Sequence, residues 1–270
     1  MAGILGILRI VASVDFFIPG YARRRPLNEP GPTGDELILA RRIADGADVA
    51  VRLYGRALPT PRERQRFEHE VAGLKALADV PHVMPLLDAG FDDADRPYVV
   101  TEFCVTGSLQ DHLLAVGRLT PLEVRRVGAK LADALVEVHR RDIFHRNLSP
   151  STVLIDGAGE PSLTDFGLVA LSLSSEGFFS LERRPFVAPE AYLPELMTAA
   201  ADVFALGATL YALLAGTTLA ARFAAVVGDQ LVDLPKVPFQ LMSVLRQAMA
   251  LDPQDRYVDA AHLRDALLAA

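Results

Sequence analysis

The 270-residue chain has no tryptophan, one cysteine and only three lysines among its 27 basic side chains. A lone Cys104 cannot close an internal disulfide, so a disulfide scaffold is excluded and a reducing, cytoplasmic setting is expected. Cys104 itself reads as a small hydrophobe on a strand. An excess of positive charge is also missing, since the formal charge is −7. That argues against nucleic acid, or an anionic membrane, as a bulk electrostatic partner. No clean membrane span is present. The one long apolar stretch, Met1–Ile18, is interrupted by Arg9 and Asp15. It lacks the charged leading region and cleavage site of a secretory signal. Two readings of it stay open: an element packed on the domain that follows, or an interfacial anchor that touches a membrane or a partner. No repeat or low-complexity tract stands out. Apolar residues are plentiful, at 51 % of the chain. That is ample for a core in one large domain or in two lobes sharing a cleft.

The first third alternates strand and turn. Gly20–Leu27, Leu37–Ala40 and Val49–Leu53 read as three strands, parted by Asn28–Glu36 and Ala44–Asp48. The first of these turns places Gly31 between Pro30 and Pro32, with Gly34 beyond. Pro61–Ala78 carries Phe67, Val71, Leu74 and either Leu77 or Ala78 at helical spacing, behind the start signal Thr60-Pro61. Two further strands flank the turn Asp92–Arg96. Gly107–Leu114 reads as a short helix, and a longer one starts at Thr120-Pro121. Val124, Val127, Leu131, Leu135 and Val138 form its core stripe. Strands first and helices later predict an α+β chain: a small β-rich part with one main helix, then a larger helical part.

Six short motifs follow one another in this frame. They are Val49-Ala50-Val51-Arg52, a helix acid at Glu70 (with Glu68 as register competitor), and His145-Arg146-Asn147-Leu148-Ser149-Pro150. After them come Asp165-Phe166-Gly167, Ala188-Pro189-Glu190, and Asp202-Val203-Phe204-Ala205-Leu206-Gly207. Each is weak alone. In this order they resemble the protein kinase family, and within it bacterial Ser/Thr kinases of the eukaryotic type. The resemblance spans Gly20–Ala270. It implies an apolar N-terminal extension over 1–19 and one bilobal domain, with an N-lobe over 20–104 and a C-lobe over 105–270.

The resemblance assigns roles to positions. Arg52 stands where the family's strand lysine pairs with nucleotide phosphates and with a helix glutamate, here Glu70. Ala50, Thr101 and Leu154 fall where the family holds the nucleotide base. Asp165 falls on the metal-binding aspartate, the position for Mg²⁺ if nucleotide enters. His145, Arg146, Phe166, Gly167, Glu190, Asp202 and Arg256 carry the family's architecture. Glu190 and Arg256 are expected to form a buried ion pair. Three positions of the catalytic loop depart from the pattern. Asn147 replaces the aspartate base, Ser149 a lysine, and Thr152 a metal-ligating asparagine. Proline in the phosphate loop removes N–H donors and fixes φ, where the family uses glycine to approach phosphate.

These departures point to a pseudokinase: a regulatory or scaffolding module for a protein partner, an active kinase or a membrane-linked assembly, with weak ATP binding or none. The competing expectation is an active atypical Ser/Thr kinase that uses ATP and Mg²⁺ on Asp165. Ser172, Ser174, Ser175 and Ser180 are candidate phosphorylation sites, with Arg146, Arg183 and Arg184 as phosphate partners.

Overall fold

The computed structural model describes residues 18–28, 34–168, 184–192, 198–216 and 231–270. Several expectations lie outside the described residues: those on 1–17, on Pro30, Gly31 and Pro32, on the four activation-segment serines, and on Arg183 with the Arg184 side chain.

The N-terminal part is a five-stranded antiparallel sheet in the order β1-β2-β3-β5-β4. Its strands are β1 (Tyr21–Pro26), β2 (Glu36–Arg42), β3 (Asp48–Leu53), β4 (Leu86–Phe91) and β5 (Pro97–Glu102). Alternation sets which side chains go inward. Val49, Val51 and Leu53 on β3 are buried together with Ile38, Ala40, Tyr98 and Val100. Ala50 and Arg52 therefore share the opposite face. There Ala50 lies opposite Thr101 and Arg52 opposite Val99 on β5. Ile18 packs into the same sheet core and is 2 % exposed.

Helix α1 (Pro61–Lys75) connects β3 to β4. Thr60 accepts from the Glu63 amide at 3.3 Å and Glu63 accepts from the Thr60 amide at 3.2 Å, a reciprocal cap behind Pro61. Phe67 and Val71 bury the inner face, with Leu74 half-buried beside them. Leu77 lies in the core and Ala78 in solvent, which resolves the alternative left open by spacing.

The C-terminal part is helical. It contains α2 (Leu109–Val116), α3 (Pro121–His139), α4 (Ala199–Ala215), α5 (Phe239–Ala248) and α6 (Ala260–Ala269). A small hairpin of β6 (Val153–Ile155) and β7 (Pro161–Leu163) lies between α3 and α4 in sequence. Residues 201–215 of α4 are all buried, and the helix is apolar on every side, as expected for a span at the centre of a helical core. Its one charged residue, Asp202, serves the loop described next. The two parts meet where Leu163 donates to the His82 carbonyl and accepts from the Met84 amide, each at 2.8 Å. Arg141 adds a pair with Asp79, just beyond α1, at 2.9 Å.

Candidate functional site

The loop Asp142–Thr152 joins α3 to the hairpin and forms the cleft floor. It is suspended from Asp202, which is 2 % exposed. The carboxylate accepts from the His145 amide at 2.7 Å, the Arg146 amide at 2.9 Å and His139 Nε2 at 2.9 Å. Burial works against the charge of Asp202. The hydrogen bond and charge of His139, with smaller help from the Arg146 amide, outweigh it and hold the pKa below the ordinary carboxylate value. His145 is wholly buried, and its ring stacks on Phe166 at 4.4 Å. Burial pushes its pKa down despite the nearby Asp202 and Asp165 carboxylates, so the imidazole is kept neutral. The Gly167 amide donates to the His145 carbonyl at 2.8 Å, tying the two motif-bearing turns together. Arg146 and Asp165 both take left-handed backbone, each at φ 62°. Non-glycine residues hold that region only where their surroundings fix them.

The three altered loop positions are engaged within the protein. Asn147 Nδ2 donates to the Asp165 carbonyl at 2.8 Å and approaches its carboxylate at 3.4 Å. Thr152 is 2 % exposed. Its hydroxyl meets the carbonyls of Asn147 and Ser149 at 3.0 and 3.1 Å and accepts from the Ser149 amide at 3.0 Å. Ser149 is 5 % exposed and bonds Ser151 Oγ at 2.9 Å. A buried hydroxyl engaged with three backbone groups in this way closes the loop on itself.

Arg52 does not take the partner expected for it. Its Nε lies 2.6 Å from Asp165 Oδ1, whereas Glu70 pairs with Arg66 one helical turn away at 3.4 Å. Burial opposes the charge on Arg52. Asp165, with Tyr54 and Asp35 behind it, more than compensates and raises its pKa. Asp165, the residue expected to hold Mg²⁺ if nucleotide enters, is thus paired with Arg52 in this structure. Its carboxylate already has a cation, and the neighbouring Thr152 is turned into its own loop. Magnesium in nucleotide sites is held by one or two carboxylates together with phosphate and water oxygens. Among the described residues no three His, Cys, Asp or Glu side chains converge as a metal set.

Behind this ion pair lies a cavity of about 110 Å³. Ala50, Thr101 and Leu154 line it, with Leu74, Met84, Leu86 and Phe166 at its back. The structure thus gathers all the positions that the resemblance assigns to a nucleotide base, and Arg52 with Asp165 stands among them. For comparison, an apolar cavity of about 150 Å³ takes up benzene. Farther from the cleft, Arg256 is fully enclosed and makes a two-pronged bond to Glu190 at 2.6 and 2.8 Å. The expected pair is therefore present.

Sequence reasoning missed His139 and Arg141. His139 ends α3 and braces Asp202, and its place six residues before His145 was a readable signal. Arg141 pins the loop's approach to the residues that follow α1.

A family model described as "Protein kinase domain" matches residues 34–258. Serine/threonine-protein kinase PknK of Mycobacterium tuberculosis is 30 % identical over 246 residues, which is 85 % of this chain and 22 % of PknK. Serine/threonine-protein kinase PrkC of Bacillus subtilis is 30 % identical over 211 residues, 73 % of this chain and 32 % of PrkC. This chain thus spans between a fifth and a third of the length of these curated relatives. The crystal structure of the Mycobacterium tuberculosis PknI kinase domain, a cysteine-to-alanine mutant, superposes with a TM-score of 0.68 at 21 % identity, covering 94 % of this chain and 96 % of that one. Among the described residues no helix is long and apolar enough to cross a membrane.

Proposed function

Because the chain belongs to the protein kinase domain family, we propose that it is a pseudokinase, a regulatory or scaffolding module that binds a protein partner and has weak affinity for ATP or none. One observation carries the reading: the catalytic loop lacks a carboxylate base, and its three altered side chains are hydrogen-bonded inside the protein. An amide at Asn147 can orient a hydroxyl but cannot take its proton. General base catalysis contributes about 10²–10⁴ in rate. Phosphoryl transfer depends even more on positioning and on neutralising charge with metal ions. The pairing of Arg52 with Asp165 and the inward turn of Thr152 argue against that contribution too. The residues that brace the fold remain in place: Asp202 under the loop, His145 on Phe166, and Glu190 on Arg256. A kept frame with altered chemistry favours recognition over turnover. The partner is a protein, such as an active kinase or a membrane-linked assembly, which the acidic net charge makes a better match than nucleic acid.

An active atypical Ser/Thr kinase is the alternative, favoured by the survival of Asp165. Melting temperature measured against ATP, with and without Mg²⁺, separates the two. The pseudokinase reading predicts little or no Mg²⁺-dependent rise. A saturable rise of several degrees that requires Mg²⁺ would contradict it, because only a ligand that binds the folded state stabilises in this way.

A further inference from the structure

The pair Arg52–Asp165 does more than occupy a metal position. Arg52 lies on β3, the central strand of the five-stranded sheet. Asp165 belongs to the other lobe, where three bonds fix its turn. Asn147 Nδ2 holds its carbonyl at 2.8 Å, the Thr164 amide donates to Thr152 at 2.9 Å, and the Gly167 amide donates to His145 at 2.8 Å. His145 hangs in turn from Asp202 on α4, as does its neighbour Arg146. The ion pair therefore joins the middle of one lobe to the hub of the other, across the cleft. Both side chains are mostly withdrawn from water, at 19 % and 12 % exposure, and the contact is short at 2.6 Å. An arginine is always charged and its guanidinium is a planar fork, so the cation is not lost by deprotonation. A divalent cation can leave a carboxylate, but a side-chain cation cannot diffuse away.

We propose that Arg52 is a resident cation that latches the two lobes closed on Asp165, so that the closed arrangement is held without nucleotide or metal. The latch rests on the pseudokinase reading in one respect: it supplies the regulation of that site, a module fixed in its binding-ready shape instead of being switched by ATP. Two features of the site are consistent with it. The left-handed backbone of Asp165 is sustained with a side-chain cation as its counterion. Glu70, the acid that the resemblance pairs with Arg52, is engaged by Arg66 instead, which leaves Arg52 committed to the opposite lobe.

The distance between lobes tests the latch. Spin labels are placed at Ala94→Cys, in the turn between β4 and β5, and at Ala115→Cys on α2, in a Cys104→Ser background. Both label positions are exposed. The expected result is one narrow distance distribution in the otherwise unaltered chain, unchanged by ATP and Mg²⁺. Arg52→Met and Asp165→Asn should each broaden it toward longer distances, and Arg52→Lys should keep it narrow. Asp165→Asn preserves side-chain shape, and far-ultraviolet circular dichroism confirms that each variant is folded before its distances are read. Distributions in folded Arg52→Met and Asp165→Asn that match the unaltered chain would overturn the latch and leave the pseudokinase reading intact. Narrow, latch-dependent distances accompanied by measurable phosphate transfer would overturn the pseudokinase reading and leave the latch standing.

Discussion

Removing Glu190 should destabilise the protein by several kcal/mol, about 3–5. Arg256 has five N–H donors, and all five are taken. Two go to the Glu190 carboxylate, and one each to the carbonyls of Ala250 (2.8 Å), Ala200 (2.9 Å) and Leu251 (3.2 Å). The guanidinium also lies over the Phe204 ring, 5.0 Å from its centroid, on α4. Its side chain has no exposure at all. Glu190→Ala leaves the enclosed guanidinium with its charge and two donors unpartnered by protein. Breaking a buried pair in this way costs about 3–5 kcal/mol. For a chain of this size each kcal/mol moves the melting temperature by roughly 2–4 °C, so a fall of roughly 6–20 °C is expected. The double variant Glu190→Gln with Arg256→Met removes both charges and should lose less than the sum of the single changes. Differential scanning calorimetry on the unaltered chain, Glu190→Gln, Arg256→Met and the double variant closes the cycle, with Glu190→Ala measured beside them. A Glu190→Ala protein that melts within about 2 °C of the unaltered chain would refute the reasoning, as would additive losses.

Two further expectations concern the core and the loop brace. Stability should fall as the pH drops. Neutral buried His145 has a folded pKa below its ordinary 6.5, so its contribution is complete above that value and is lost as the pH falls toward the folded pKa. Asp202 has a folded pKa below 3.8, so its contribution is present above that value and is lost as the pH falls through the folded pKa. His145→Phe, which keeps a ring against Phe166, should flatten the slope just below pH 6.5 in urea titrations and leave the loss below pH 3.8. Gly207→Ala should destabilise by about 1–3 kcal/mol, because a Cβ there would stand 2.9 Å from the Ala248 Cβ and 3.0 Å from Met249 Cγ. Chemical denaturation at neutral pH measures it.

Much of this architecture is legible in the residues themselves. Apolar runs around Leu39 and Val51, parted by turn residues, give strands of the sheet. Thr60-Pro61 and Thr120-Pro121 give the starts of two helices, and the ordered motifs give the two-lobed fold. The Glu190–Arg256 pair is legible because each end is marked by its own motif. The partner of Arg52 is not. Sequence places Arg52, Glu70 and Asp165 in one neighbourhood, but which carboxylate a long side chain reaches depends on distances of a few ångströms between elements far apart in the chain. The inward turn of Thr152 is half legible. Threonine hydroxyls compete for nearby backbone groups, so a threonine two residues past Pro150 is well suited to close its own loop. The sequence could say that a ligand residue had gone, and the structure shows what its replacement does instead. His139 escaped notice because its partner, Asp202, is 63 residues away.

Phosphate transfer is the direct test of the central claim. Purified protein is incubated with γ-labelled ATP, Mg²⁺ and a generic protein acceptor, beside Asp165→Ala. A third sample carries Arg52→Lys, Asn147→Asp, Ser149→Lys and Thr152→Asn together. The account predicts no transfer by the unaltered chain above the Asp165→Ala background, whatever the outcome in the fourfold variant. Transfer by the unaltered chain that survives repurification and disappears in Asp165→Ala would contradict it.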